Sequence, residues 1–202
     1  MPSQTNSYVY PTLIKNSPGE LTHLTYLPCS GAKQSLTDAN GATAHYSYDF
    51  MGRLTDTYLP DGGHSQTVYH DLQNSIDKKT FLTGSAFVQE TDSFDGLGRT
   101  TQTQLITDPQ GKIFADTSYD ALGRVMASSN PYRSSTDVTY GVTTFRYDAL
   151  GRKTSKLNPD GTISTSPYSG ASSTSIDESG HSWQKLSDVW ETLLWSSSLQ
   201  PC

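Results

Sequence analysis

Four aspartates stand in equivalent sequence positions and are the first residues to consider as a catalytic set. They are Asp49, Asp95, Asp120 and Asp148, and each is followed four residues later by an arginine. Paired carboxylates do acid and base chemistry only when two different environments move their pKa values apart. Equivalent positions in a repeat offer equivalent environments. The sequence therefore predicts that these carboxylates form turns, the usual role of aspartate before glycine.

Other motifs of reactive or ligand-binding sites are incomplete. Gly63-His64-Ser65-Gln66-Thr67 lacks the closing glycine of a nucleophile elbow and is predicted to begin a strand. Gly96-Leu97-Gly98-Arg99-Thr100-Thr101 lacks the third glycine of a dinucleotide fingerprint. Asp38-Ala39-Asn40-Gly41 resembles a calcium loop, but Thr43 occupies the position that needs glycine. The five histidines, which show no metal-ligand spacing and are predicted to be solvated strand positions, are His23, His45, His64, His70 and His181. No catalytic residue, cofactor or metal site is predicted.

A recurring hexapeptide explains the aspartate positions. Its copies are Tyr48-Asp49-Phe50-Met51-Gly52-Arg53, Phe94-Asp95-Gly96-Leu97-Gly98-Arg99, Tyr119-Asp120-Ala121-Leu122-Gly123-Arg124 and Tyr147-Asp148-Ala149-Leu150-Gly151-Arg152. The aromatic markers of successive units, 21 to 28 residues apart, are Tyr26, Tyr48, Tyr69, Phe94, Tyr119, Tyr147 and Tyr168. An eroded last unit ends at Ser187-Asp188. Such self-similarity predicts a repeat architecture in which each unit buries its apolar face against its neighbours.

Each unit contains two kinds of turn and two short strands. Pro60-Asp61-Gly62 and Asn158-Pro159-Asp160-Gly161 place proline and glycine where turns require them. The segment Thr43–Tyr48 puts Tyr46 and Tyr48 on one face, which is the alternation of a strand. Asp-x-x-Gly at the strand end suits a type I turn, with a contact from Asp148 to Arg152 across it. The predicted fold is all-β, an antiparallel meander whose tyrosines form a thin core rather than a ligand platform.

The domain prediction has three parts. Residues 1–18 form an N-terminal extension, residues 19–188 form about eight repeat units, and residues 189–202 form a tail. Leu186, Val189, Trp190, Leu193 and Leu194 approximate helical spacing, so a short capping helix over 187–194 is one interpretation. One more degenerate strand pair is the other. Asp108-Pro109-Gln110-Gly111 is interpreted as an ordinary repeat turn.

The hexapeptide, followed about seven residues later by Pro-Asp-Gly, resembles the YD repeat of Rhs (rearrangement hotspot) proteins, teneurins and toxin-complex C components. The resemblance covers Gly19 to Asp188. It implies a β-sheet ribbon that curls into a hollow shell, a non-catalytic scaffold that encloses or displays a toxin or effector. It also implies an extracellular or cell-surface location, and as partners further YD repeats or an effector domain. Members of the family are typically many times longer, so a fragment or a non-functional remnant is one alternative, and a carbohydrate or cell-surface binding module is another.

Composition and charge agree with a scaffold. Hydrophobic residues make up 33% of the chain and charged residues 17%, both low for a globular enzyme. A net charge of −6 argues against binding to nucleic acid. No apolar run has the length of a membrane span, and residues 1–5 show no signal-peptide pattern. Cys29 and Cys202 are predicted to be free thiols. Unpaired edge strands predict self-association of the isolated chain.

Overall fold

The chain forms strands joined by tight turns. The computed structural model describes residues 10–82, 85–187 and 193–199, the last of these by its backbone alone. The one helix in these ranges is a three-residue 3-10 turn, Asp71–Gln73. No helix among the described residues is long and apolar enough to cross a membrane. The predicted all-β antiparallel meander is confirmed.

The chain divides into two compact units, and the first comprises Met1–Gly96 with Leu105–Gly111. Its strands are β1 (Leu13–Lys15), β2 (Leu21–Tyr26), β3 (Lys33–Thr37), β4 (Thr43–Tyr48), β5 (Leu54–Tyr58), β6 (His64–His70), β7 (Ser75–Phe81) and β8 (Phe87–Phe94). Each strand pairs antiparallel with the next one along the chain. Because consecutive strands are neighbours, all the connections are local.

The second unit comprises Leu97–Gln104 with Lys112–Cys202, so Leu105, the last residue of β9, is grouped with the first unit. Its strands are β9 (Thr100–Leu105), β10 (Ile113–Tyr119), β11 (Val125–Ser129), β12 (Val142–Tyr147), β13 (Lys153–Leu157), β14 (Ile163–Thr165), β15 (Tyr168–Ser169), β16 (Ser172–Ile176), β17 (Ser182–Ser187) and β18 (Leu193–Leu199). Pairing is again antiparallel between chain neighbours, except that β14 and β15 both pair with β16.

One type of turn closes hairpins at both ends of the strands. At Asp49 the backbone N–H donates to the carbonyl of Arg53 at 2.9 Å, and the N–H of Gly52 donates back to the Asp49 carbonyl at 3.0 Å. Gly52 has φ +80°, so the turn is type I followed by a left-handed glycine. The Pro-Asp-Gly turn has the same two bonds, from Leu59 to Gly63 and from Gly62 to Leu59. Asp108 and Gly111 also form the predicted turn.

Burial is slight in both units. Among the described residues only Ala44 and Gly141 are buried, and the motif tyrosines are half-buried. A thin core was predicted, but the tyrosines do not form a closed one. Their side chains instead lie against the neighbouring repeat, as described below.

Both ends of the chain continue the meander. The predicted N-terminal extension contains β1, which pairs with β2 across a turn from Asn16 to Glu20. In the predicted tail, Leu193–Leu199 is a strand paired with β17. Ser187 ends β17, so the helical interpretation of 187–194 is wrong at both of its ends, and residues 188–192 lie outside the described residues.

Candidate functional site

The motif aspartate organises its own turn. Asp49 accepts two backbone hydrogen bonds on Oδ1, from the N–H groups of Met51 and Arg53, both at 2.9 Å. Its Oδ2 accepts a third from Nε of Arg53 at 2.7 Å. Asp120 and Asp148 make the same three bonds within 0.1 Å of these distances. The predicted contact from aspartate to arginine is therefore present and is repeated from copy to copy.

These bonds lower the pKa of each carboxyl group. For Asp120 the backbone N–H of Arg124 is the main cause, and it outweighs desolvation, which acts in the opposite direction. For Asp148 desolvation is the largest effect and raises the pKa, but bonds from the backbone and side chain of Arg152 together hold it below the ordinary value. An acid or base catalyst at neutral pH needs a carboxyl pKa raised toward 7, which is the opposite shift.

The motif arginine also contacts the next repeat. Its guanidinium carbon lies over the ring of the next marker tyrosine, at 4.1 to 4.6 Å from the ring centre. The four pairs are Arg53 with Tyr69, Arg99 with Tyr119, Arg124 with Tyr147 and Arg152 with Tyr168. Such cation–π contacts form at every step that starts from a complete motif.

The tyrosine hydroxyl returns a second contact to the previous repeat. Tyr147 donates to the carbonyl of Val125 at 2.8 Å, and Tyr119 donates to the carbonyl of Thr100 at 2.8 Å. In both cases the acceptor is the residue that follows the motif arginine. We call this pair of contacts, arginine on ring and hydroxyl on carbonyl, the inter-repeat clamp.

Further bonds of the arginines reinforce the clamp. Arg124 Nη1 donates to the backbone carbonyl of Asp148, the aspartate of the next motif, at 3.2 Å. Arg53 binds both carboxylate oxygens of Asp71, at 2.6 and 3.1 Å. The arginine thus joins its own aspartate, the next aromatic ring and the next turn.

The copy at Phe94 departs from this pattern. Phe94 has no hydroxyl, and its backbone N–H donates to the carbonyl of Asn74 at 2.8 Å. Asp95 and Arg99 occupy the usual places, and Arg99 lies over Tyr119. The motif glycines all have positive φ, between +76° and +83°, and they are Gly52, Gly98, Gly123 and Gly151. The structure therefore places all sixteen predicted motif residues at strand ends and turns.

One aspartate-centred turn was not predicted. Asp177 accepts the N–H groups of Ser179 and His181 on Oδ1, and its Oδ2 lies 3.1 Å from Nδ1 of His181. Histidine here occupies the position of the motif arginine. The spacing Asp-x-x-Gly at Asp177 to Gly180 was the available signal, and the absence of a following arginine hid it.

Two histidines lie in side-chain clusters instead of simple solvated positions. His64 is stacked between Tyr58 and Phe81, with ring centres at 4.2 and 4.5 Å, and its Nε2 lies 3.0 Å from Asp56 Oδ1. His70 Nε2 lies 3.2 Å from Asp77 Oδ2. For these two the prediction of solvated positions is wrong, because cross-strand partners supply rings and carboxylates that sequence spacing does not reveal.

Neither cluster has the composition of a metal site or a nucleophilic triad. Within the ranges that the structure describes, no group of three or more His, Cys, Asp and Glu side chains could hold a metal ion. Cys29 is an exposed free thiol, and Cys202 lies outside the described residues. What the arrangement does chemically is bind one repeat to the next.

Several solved structures contain the same fold. A crystal structure of TcdB2-TccC3 matches 93% of this chain and 13% of its own chain, with a TM-score of 0.76 and 14% identity. A crystal structure of TcdB2-TccC3-TEV matches 90% and 16%, with a TM-score of 0.68 and 12% identity. A Photorhabdus luminescens Tc holotoxin pore matches 94% and 12%, with a TM-score of 0.57 and 12% identity. No protein-family model and no curated protein matches the chain.

These likenesses concern the fold. The resemblance to YD-repeat proteins, which include toxin-complex C components, is confirmed at that level. The chain spans only 12 to 16% of the length of the structures just described.

Proposed function

We propose that the chain is a non-catalytic structural module, one section of a β-shell that encloses or displays a toxin or effector. The observation that carries the proposal is the inter-repeat clamp. Each complete motif uses its carboxylate in its own turn and its guanidinium on the next tyrosine, so the conserved chemistry of the repeat holds neighbouring strands together. The fold of the toxin-complex chains supports the same function.

The partners proposed for this module are further repeats and an effector domain, and its proposed location is that of a secreted toxin component. The large exposed surface of both units agrees with a module that needs neighbours. With only two described residues buried, the sheet gains little stability from a core of its own.

Carbohydrate binding is the competing hypothesis, and the ring geometry argues against it. Sugars stack on the open faces of aromatic rings, but both faces of the His64 ring are covered by Tyr58 and Phe81, whose planes are 6° and 7° from its own. The motif tyrosines from Tyr69 onward carry a guanidinium on one face. Binding on a glycan array, abolished by substitution of these rings, would favour this hypothesis over the scaffold.

The scaffold is tested by limited proteolysis of the protein as the cell makes it, including any further repeats and C-terminal segment in its reading frame. A shell predicts that the C-terminal segment resists protease until the repeats are unfolded. Arg124→Met together with Arg152→Met should expose that segment to cleavage. A reading frame that encodes neither further repeats nor an effector, or an effector segment cut as fast as the free polypeptide, contradicts the proposal and favours a remnant.

A further inference from the structure

The hexapeptide turns present large apolar side chains to solvent. Between the aspartate and the glycine of the motif lie Leu97, Leu122 and Leu150 in the second unit, which are 79%, 76% and 78% exposed. In the first unit the corresponding connections carry Phe50, Met51 and Leu72, which are 96%, 61% and 95% exposed. We call these six side chains the apolar tips.

The turn itself does not require them. Turns at the other ends of the strands have the same backbone hydrogen bonds, yet their central residues are small, polar or proline. Those central pairs are Ala39-Asn40, Pro60-Asp61, Pro159-Asp160 and Glu178-Ser179. Because one backbone frame accepts both kinds of residue, the leucines are not explained by turn formation.

The tips form a regular row within each unit. In the second unit, Leu97 precedes β9, Leu122 joins β10 to β11, and Leu150 joins β12 to β13. These strands are antiparallel neighbours, so the three turns lie along one edge, two strands apart. With strands about 4.8 Å apart, the leucines recur roughly every 10 Å.

The charges beside the tips are already compensated. The carboxylate of Asp120 is bound by Arg124, and that of Asp148 by Arg152, each at 2.7 Å. Covering Leu122 or Leu150 would therefore not bury an unpaired charge, which is the main cost of closing an interface. An apolar strip of this kind, with its ions paired inside each turn, suits another apolar strip.

We propose that the apolar tips are a contact surface for a second copy of this chain, tip row against tip row. A row with a fixed spacing is matched best by a row of the same spacing, which a second copy supplies. Each large apolar side chain removes about 100 Å² from water, so six tips provide roughly 600 Å² per partner. This approaches the area of about 800 Å² per partner found in specific interfaces.

The inference rests on the proposed function, because it describes how ribbons of this scaffold meet. It differs from association through unpaired strand edges, which would use backbone groups and would not depend on turn side chains. The two routes are separable by substitution at the tips, since a side chain that touches nothing in its own chain leaves the fold unchanged when it is replaced.

The test is sedimentation velocity across a dilution series with the full chain. Leu97→Ser, Leu122→Ser and Leu150→Ser together should raise the dissociation constant of self-association by about a hundredfold or more, since each buried leucine is worth about a tenfold change. The matched control is Leu82→Ser, Val138→Ser and Ile163→Ser, which removes three exposed apolar side chains from the opposite strand ends. The control should associate like the unmodified chain.

Three results would overturn the inference: an unmodified chain that stays monomeric, tip and control variants that weaken association equally, or a tip variant that associates unchanged. Denaturant unfolding of the tip variant guards against misfolding and should match that of the unmodified chain. None of these results bears on protease protection of an effector, so the inference and the proposed function fail separately.

Discussion

The guanidinium carbon of Arg124 lies 4.6 Å from the centre of the Tyr147 ring in the next repeat. The hydroxyl of Tyr147 binds the carbonyl of Val125, the residue after that arginine, at 2.8 Å. The two repeats are thus joined by contacts that run in both directions. The same arginine binds Asp120, so the shape of one turn and its attachment to the next depend on one side chain.

Gly151→Val should destabilise the chain by roughly 1–3 kcal/mol, because a β-branched residue is strained at positive φ. Gly151 has φ +83°, and a side chain there would meet nothing within 4 Å, so backbone strain is isolated from steric clash. Urea unfolding measures the change. Ala149→Val, two residues earlier at negative φ, is the control, and equal effects of the two variants would contradict the turn assignment.

Tyr147→Phe should cost about 0.5–1.5 kcal/mol, the usual net value of one hydrogen bond, because it removes the donor to Val125 and keeps the ring under Arg124. Tyr58→Phe is the matched control, since no hydrogen bond of its hydroxyl occurs within the described ranges. Chemical denaturation compares the two. A larger loss at Tyr58 than at Tyr147 would remove the hydroxyl from the clamp.

Acid should weaken the fold through the motif aspartates. Asp120 has its pKa lowered from the ordinary value of 3.8, chiefly by the backbone N–H of Arg124. A carboxyl group with a lowered pKa in the folded state stabilises the fold above its unfolded pKa, and the contribution is lost as the pH falls through the folded value. The free energy of unfolding should therefore decline below about pH 4. Asp120→Asn should make this decline shallower, and an unchanged pH profile in the variant would contradict the assignment.

The strands and turns were predictable because the signals are local. Tyr147 and Asp148 mark a strand end, Gly151 marks the left-handed position, and the spacing recurs, so the meander follows from the sequence. The clamp was not predictable in this way. Arg53 and Tyr69 are 16 residues apart, whereas Arg124 and Tyr147 are 23 apart, and only strand pairing brings each pair together.

Two other differences have the same cause. The ring stack at His64 depends on cross-strand register, with Tyr58 on one neighbouring strand and Phe81 on the other. In the tail, the spacing of Leu193 and Leu194 from earlier apolar residues imitated a helix, but pairing with β17 places them in a strand. Short apolar runs leave helix and strand ambiguous, and tertiary pairing decides between them.

A double-mutant cycle on Arg124→Met and Tyr147→Leu tests the central claim, that motif residues hold adjacent repeats together. Denaturant unfolding of the single and double variants gives the coupling free energy, and effects of Arg124 on Asp120 cancel in the cycle. We predict a coupling of about 0.5–1 kcal/mol, as for a cation–π pair near the surface. The control cycle of Arg124→Met with Tyr168→Leu, whose ring lies against Arg152, should show no coupling. Additive effects in both cycles would contradict the account.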